Sequence, residues 1–232
     1  MKIHQELGTI RRIVRNIRYQ KKPVKIPTDI VSNHFSYWAI RDHPNRKAFE
    51  VLFNNMNGAK KAIIETGTSA WGTDSTRLWD SYVRKFGGSF KTVDIRVEAS
   101  ERLKWQLGKR STCYISDSVE FLKSEIARGA DVYFLDSWDV DWQNPMAAAV
   151  HGLQEFNAIR SDLKEGVILF IDDTPKSVDR IPDEAHGTAK KFEIENGVLP
   201  GKGALVLREL QRMENCEVLH HDYSLIVKLQ GI

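Results

Sequence analysis

Two cysteines in 232 residues are too few for a disulfide framework. Cys113 and Cys216 both sit in strand-like runs, TCYI and CEVL. They read as buried, reduced thiols of a cytoplasmic protein, with one disulfide as the alternative. No apolar run passes five or six residues, so no segment is expected to span a bilayer. The basic first residues lack the apolar core of a secretory signal. There is no internal repeat and no low-complexity segment. A composition of 41% hydrophobic and 28% charged residues excludes a disordered chain. The length suits one α/β domain of the larger kind, with a well-buried core.

Charge is unevenly spread. Residues 1–25 hold eight Lys or Arg (Lys2, Arg11, Arg12, Arg15, Arg18, Lys21, Lys22, Lys25) against Glu6 alone. That is +7 in a chain of net +3, so the remaining 207 residues stand near −4. Within this arm Ile3, Leu7, Ile10, Val14 and Ile17 recur at the spacing of one helix face. Such a helix serves docking or self-association, giving a homo-oligomer through the arm. A basic amphipathic helix can also meet acidic surfaces or a membrane. Pro23 and Pro27 end it, and an aromatic-rich stretch, NHFSYWAIRDHP, connects it to the rest. The arm and its connection (1–44) are read as one unit, and 45–232 as the main domain.

From residue 45 onward helices and strands alternate. Helices are expected over 45–57, 75–86, 97–107, 119–128 and 145–163. Strands are expected over 62–66, 90–94, 112–115, 131–135 and 167–171. That alternation means βαβ units and a parallel sheet. A polar stretch follows residue 174, then a helix near 202–213. The runs CEVLHH and YSLIVKL, joined at Asp222, form a β-hairpin.

In a parallel sheet, ligands bind at the carboxyl ends of the strands, where strand order reverses. The first strand is followed by ETGTSAWGTDST, the second by Asp94, the third by Ser116, Asp117 and Ser118, and the fourth by Asp136. The fifth, VILFI, stops at Asp172, Asp173 and then Thr174-Pro175. Two adjacent carboxylates repel by roughly 4 kcal/mol at ~4 Å and an effective dielectric of ~20. Water or a bound cation must offset that. The loop after the first strand lets a ligand approach backbone, but it lacks G-x-G-x-x-G and any basic residue. A pyrophosphate would be poorly served there. A single Asp ending the second strand suits ribose hydroxyls, so a cationic or zwitterionic nucleoside fits better.

These residues resemble a class I S-adenosylmethionine-dependent methyltransferase over residues 45–232. The nearest type is the metal-dependent O-methyltransferases acting on catechols and macrolide sugars (the macrocin type). The resemblance implies a Rossmann-like, doubly wound, seven-stranded and mostly parallel sheet with a C-terminal antiparallel hairpin. It implies cofactor contacts from the glycine loop (Glu65, Gly67, Thr68, Ser69, Gly72, Ser75), ribose contact from Asp94, and adenine contact from Asp117 and Ser118. It further implies that Asp136, Asp172 and Asp173 bind Mg²⁺ or another hard divalent cation, with Asp136 also facing the cofactor. The expected reaction moves a methyl group to a hydroxyl of a small molecule such as a sugar, polyketide or phenol. The chain departs from the family pattern at two points. Five positions, not four, separate Gly67 from Gly72, with Ser69 and Trp71 where glycines are common. Asp139 stands where relatives carry a Lys or His base.

Three oxygen ligands suit Mg²⁺, although strand ends carry solvated aspartates in many proteins. Zinc is disfavoured, since no Cys or His lies at ligand spacing nearby. Asp139 or Asp141 could take the hydroxyl proton, or cap the helix expected from 145, or face solvent. His151 and His186 are rival bases. Trp71, Trp138 and Trp142 could lean on a sulfonium or wall a ring substrate, core packing being the ordinary alternative. Two other classes remain as alternatives. The D-V-D of 139–141 is also the D-x-D of many glycosyltransferases. A nucleic-acid methyltransferase would use the basic arm on phosphates. No N-P-P-Y-like tetrad follows the fourth strand, which disfavours nucleic acid as partner.

Overall fold

The computed structural model describes residues 27–69 and 72–231. The amphipathic helix read in the arm and Trp71 lie outside the described residues. Seven strands form one sheet in the order β3-β2-β1-β4-β5-β7-β6. They are β1 (Lys61–Thr66), β2 (Gly88–Asp94), β3 (Ser111–Ile115), β4 (Val132–Leu135), β5 (Ile168–Ile171), β6 (Cys216–His221) and β7 (Leu225–Leu229). Strands β1 to β5 pair in parallel, and β7 runs antiparallel to both β5 and β6. The order reverses between β1 and β4, and that seam is where a ligand site belongs.

The pleat sorts β4 and β5 onto two cores. Val132, Phe134, Ile168 and Phe170 face one layer. Tyr133, Leu135, Leu169 and Ile171 face the other. Both strands therefore read as unbroken hydrocarbon, as strands covered on both faces must. The first layer is aromatic. Helices α1 (Pro27–Tyr37), α2 (Asn45–Met56) and α3 (Ser75–Phe86) bring Phe35, Phe49, Phe53, Trp79 and Tyr82 onto Phe134 and Phe170. The second layer holds α5 (Ser118–Lys123), α6 (Met146–Ile159) and α8 (Ala204–Leu210), with α7 (His186–Asn196) further out, while α4 (Val97–Leu103) crosses from β2 to β3 on the side of α3. Phe121, Leu122, Phe156, Ile159, Val206 and Leu210 make its core with the sheet.

Two helices were not legible. Helix α1 runs into the aromatic stretch read as a connection, and Ile30, Val31 and Phe35 belong to the first core. Helix α7 buries only Ala189 and Phe192 of its own residues, too little for an apolar period to show. Several helices are shorter than their patterns. The run 119–128 breaks at Ser124 into a short 3₁₀ turn, Glu125–Ala127, and 145–163 ends at Ile159 before another, Arg160–Asp162. The last helix starts at Ala204, because Lys202 is drawn away to the sheet edge. Cys113 on β3 and Cys216 on β6 are both unpaired, on opposite edge strands, so no bridge joins them. No helix among the described residues is long and apolar enough to cross a membrane.

Candidate functional site

A cavity of about 500 Å³ opens at the carboxyl ends of the strands around the β1/β4 seam. Gly67, just past β1, has φ +84°, and a Cβ there would lie 2.2 Å from the Asp136 carbonyl oxygen. Only glycine lets the two strand ends approach this closely. Ser69 takes φ +59°, the left-handed conformation a glycine would supply at no cost, so the unusual loop keeps a glycine-like path with a serine.

Glu65 does not reach the cavity. It is fully buried and accepts the hydroxyls of Ser75 (2.7 Å), Thr76 (2.5 Å) and Thr92 (2.7 Å). Thr76 Oγ1 in turn accepts the Ser69 N–H at 2.7 Å. Burial pushes the Glu65 carboxyl up, and the three hydroxyls pull it back to about 7. The loop residues Glu65, Thr68, Ser69, Gly72 and Ser75 thus hold the loop, while Gly67, Asp94, Asp117, Ser118 and Asp136 line the cavity.

Asp94 ends β2 with both oxygens engaged. Oδ2 accepts the Thr68 N–H (2.9 Å) and Arg96 Nη2 (2.7 Å), and Oδ1 accepts the Arg96 N–H (2.7 Å) and Nε (3.0 Å). Burial works against the ionised form, but the Arg96 side chain and these backbone N–H groups outweigh it and hold Asp94 below its usual range. Asp117 caps α5 by accepting the Glu120 N–H at 3.0 Å. Ser118 Oγ lies 3.1 Å and Ser137 Oγ 2.9 Å from His151 Nε2, and Ser137 donates to Glu155 at 2.7 Å. Glu155 Oε1, 3.7 Å from His151 Nε2, raises the His151 pKa over the opposing effect of burial. The Trp138 ring tilts over His151 with centroids 5.0 Å apart, on a backbone of φ +64°.

The carboxylates at the ends of β4 and β5 come together. Asp136, Asp172 and Asp173 offer ligand oxygens that all lie within 4.8 Å of one another. The charge they share is met from three distant segments that the sequence reading missed. Lys202 Nζ donates to Asp136 Oδ1 at 2.5 Å and pairs with Asp173 Oδ2 at 3.1 Å. Asn45 Nδ2 donates to Asp172 Oδ1 at 2.6 Å, and the Tyr223 hydroxyl donates to Asp173 Oδ1 at 2.5 Å. Burial alone would lower the Lys202 ammonium, but Asp136, Asp173 and Asp172 hold it well above its ordinary value. Burial and the neighbouring Asp173 raise the Asp172 carboxyl. His43 joins this wall from the connecting segment, its ring edge-on to Tyr223 at 6.1 Å.

A signal for Lys202 was present in P-G-K-G. A Cβ on Gly201 would lie 2.1 Å from the Asp173 carbonyl oxygen, and one on Gly203 2.3 Å from Thr174 Oγ1. A lysine bracketed by glycines marks backbone pressed against the exit of β5. Of the candidate bases, Asp139 and His151 line the cavity, with Asp139 exposed at its mouth. Asp141 instead accepts the Gln143 N–H at 3.0 Å in the turn before α6. His186 stands outside the cavity, its Nε2 3.0 Å from the Ile181 carbonyl. Trp142 both borders the cavity and packs on Ile181, Ala185 and Ala189.

No protein-family model matches the chain, and no curated relative matches it. Solved structures do. The fold is similar to that of the Podospora anserina methyltransferase PaMTH1 bound to S-adenosylhomocysteine, at 15% identity and TM-score 0.53 over 94% of each chain. It is similar also to a Staphylococcus aureus protein described as a caffeoyl-CoA O-methyltransferase, at 13% identity and TM-score 0.52 over 97% of this chain and 100% of that one. The sheet and its covering helices therefore form the Rossmann-like methyltransferase fold.

Proposed function

We propose that the protein is an S-adenosylmethionine-dependent methyltransferase that methylates a hydroxyl of a small molecule such as a sugar, polyketide or phenol. One observation carries the reading. A single cavity has a nucleoside-type wall (Gly67, Asp94, Asp117, Ser118) facing a carboxylate wall (Asp136, Asp172, Asp173) across the strand-order seam. Ribose hydroxyls would take the place of the Arg96 guanidinium on Asp94. Ser118 and Asp117 would border the base, and Trp138 and Trp142 would close the mouth.

The carboxylate wall fits a hard divalent cation such as Mg²⁺. Its donors are all oxygen, Asp136 Oδ2 is buried without a hydrogen-bond partner, and three carboxylates against one ammonium leave two negative charges. Asp136, Asp172 and Asp173 would hold the ion. When bound, such an ion lowers the pKa of a hydroxyl it touches and balances the alkoxide. The chain's own groups do the rest. Lys202 spends two N–H groups on Asp136 and Asp173 and has a third for the acceptor oxygen. Asp139, exposed at the mouth, is the carboxylate placed to take the proton. His186 has no part in this reading. Alignment of oxygen and methyl in a closed cavity supplies most of the acceleration. Two unpaired thiols suit a cytoplasmic enzyme.

Calorimetry with S-adenosylhomocysteine, in chelator and in Mg²⁺, tests the reading. We expect one site per chain in both media, abolished in a folded Gly67→Leu variant whose side chain must enter the seam. Absence of binding by the wild type in either medium would remove the cofactor and the methyltransferase assignment with it.

A further inference from the structure

Lys202 is tethered more tightly than a surface lysine. Its N–H donates to the Asp173 carbonyl at 2.9 Å, fastening its backbone to the exit of β5. Gly201 and Gly203 on either side leave no space for side chains against Asp173 and Thr174. From behind, its carbonyl oxygen would lie 2.1 Å from a Cβ on Gly152 of α6. The side chain is 5% exposed, and its ammonium sits between Asp136 at 2.5 Å and Asp173 at 3.1 Å. These are two of the three residues that would ligate a metal. A short tether, burial and two carboxylate partners keep the charge where it is.

We infer that Lys202 is the resident cation of the carboxylate cluster and competes with a divalent cation for it, so that this lysine sets the protein's metal affinity. The inference rests on the cation site of the proposed function and not on methyl transfer. Without an ion, the Lys202 ammonium offsets the repulsion within the doublet, which explains how the strand end tolerates adjacent carboxylates. With an ion, the two positive centres share oxygens within one small cluster. Asp136 Oδ2 carries no partner, and Asp172 Oδ2 takes no hydrogen bond from the described residues. Asp173 has both oxygens engaged, by Tyr223 and Lys202. An entering ion therefore finds two ligands ready and must take the third from the lysine. Repulsion between a single and a double charge a few ångströms apart opposes that entry.

The test needs metal alone. Mg²⁺ or Mn²⁺ is titrated calorimetrically into cofactor-free full-length protein, as wild type, Lys202→Met, Lys202→Arg and Lys190→Met. The inference expects Lys202→Met to bind at least about tenfold more tightly than wild type. Lys202→Arg, which keeps the charge, should bind no more tightly than wild type. Lys190→Met, which removes the same charge from an exposed position on α7, should match wild type. Because Lys202→Met leaves three carboxylates without their cation, its melting temperature in chelator should fall, and added Mg²⁺ should restore it. A wild type that binds no ion beside a Lys202→Met that does would be the limiting form of the same competition. Equal or weaker binding by Lys202→Met overturns the inference. So does a Lys202→Met that stays unfolded at every Mg²⁺ concentration.

Discussion

Replacing Glu65 with Gln tests whether this carboxylate holds the cavity's first loop at an electrostatic cost. The substitution keeps the shape and leaves the Ser75, Thr76 and Thr92 hydroxyls with a partner, since each can donate or accept. What it removes is ionisation. Burial raises the Glu65 carboxyl, the hydroxyls of Thr76, Ser75 and Thr92 oppose it, and the balance stands at about 7 against an ordinary 4.5. An acid raised by folding binds its proton more tightly in the native state than in the unfolded chain. Its contribution to stability is therefore full below about 4.5 and is lost as the pH rises through about 7. The interval corresponds to roughly 3 kcal/mol. Urea denaturation of both proteins at several values from about pH 5 to about pH 8 reads this as a difference, in which all other titrating groups cancel. Wild type should lose about 2.5 kcal/mol relative to E65Q across that range, since a little of the loss has already occurred at about pH 5. A flat difference would mean that three hydroxyls satisfy the carboxylate as well as water does, and that burial of Glu65 costs nothing.

Four further outcomes are expected. Asp94→Ala should weaken S-adenosylhomocysteine binding by about 1.5–3 kcal/mol in calorimetry, the range for hydrogen bonds to a charged group. Arg96→Ala, which removes the guanidinium from both Asp94 oxygens and leaves their backbone N–H partners, should not weaken it. Asp136→Ala should abolish the Mg²⁺-dependent rise in melting temperature that the wild type is expected to show, because only the folded chain gathers the three carboxylates. Deleting residues 1–25 should leave S-adenosylhomocysteine binding intact and change assembly, read by light scattering, or acceptor KM. Heparin retention that vanishes with the deletion would favour a nucleic-acid partner.

Much of the layout was legible because parallel strands covered on both faces leave an unmistakable pattern. AIIET, DVYFL and VILFI could hardly be anything else, and helix 75–86 was read at its observed limits. The residues that follow each strand are then fixed by chain continuity at the carboxyl edge, so Gly67, Asp94, Asp117, Ser118, Asp136, Asp172 and Asp173 could be named from their positions alone. Whether such a residue faces the cavity or supports it was not legible. Glu65 looked like a ligand contact because it precedes the loop. In the structure the alternation of β1 turns it inward, onto hydroxyls from α3 and β2.

Helices α1 and α7 show the same limit from another direction. The first overlaps an aromatic-rich stretch read as a connection, and its packing on Phe49 and its neighbours makes it a helix of the core. The sequence by itself determined the order of elements, the parallel sheet and the acidic character of its carboxyl edge, because period and strand termini are local properties of the chain. Only the tertiary structure decided what neutralises that edge. Asn45 lies 127 positions from Asp172, Lys202 66 from Asp136, and Tyr223 50 from Asp173. No local pattern couples residues so far apart. They meet because the start of α2, the segment before α8 and the turn between β6 and β7 come together at the same end of the sheet, and there a buried ammonium, an amide and a phenol satisfy charges that no neighbour in sequence could reach.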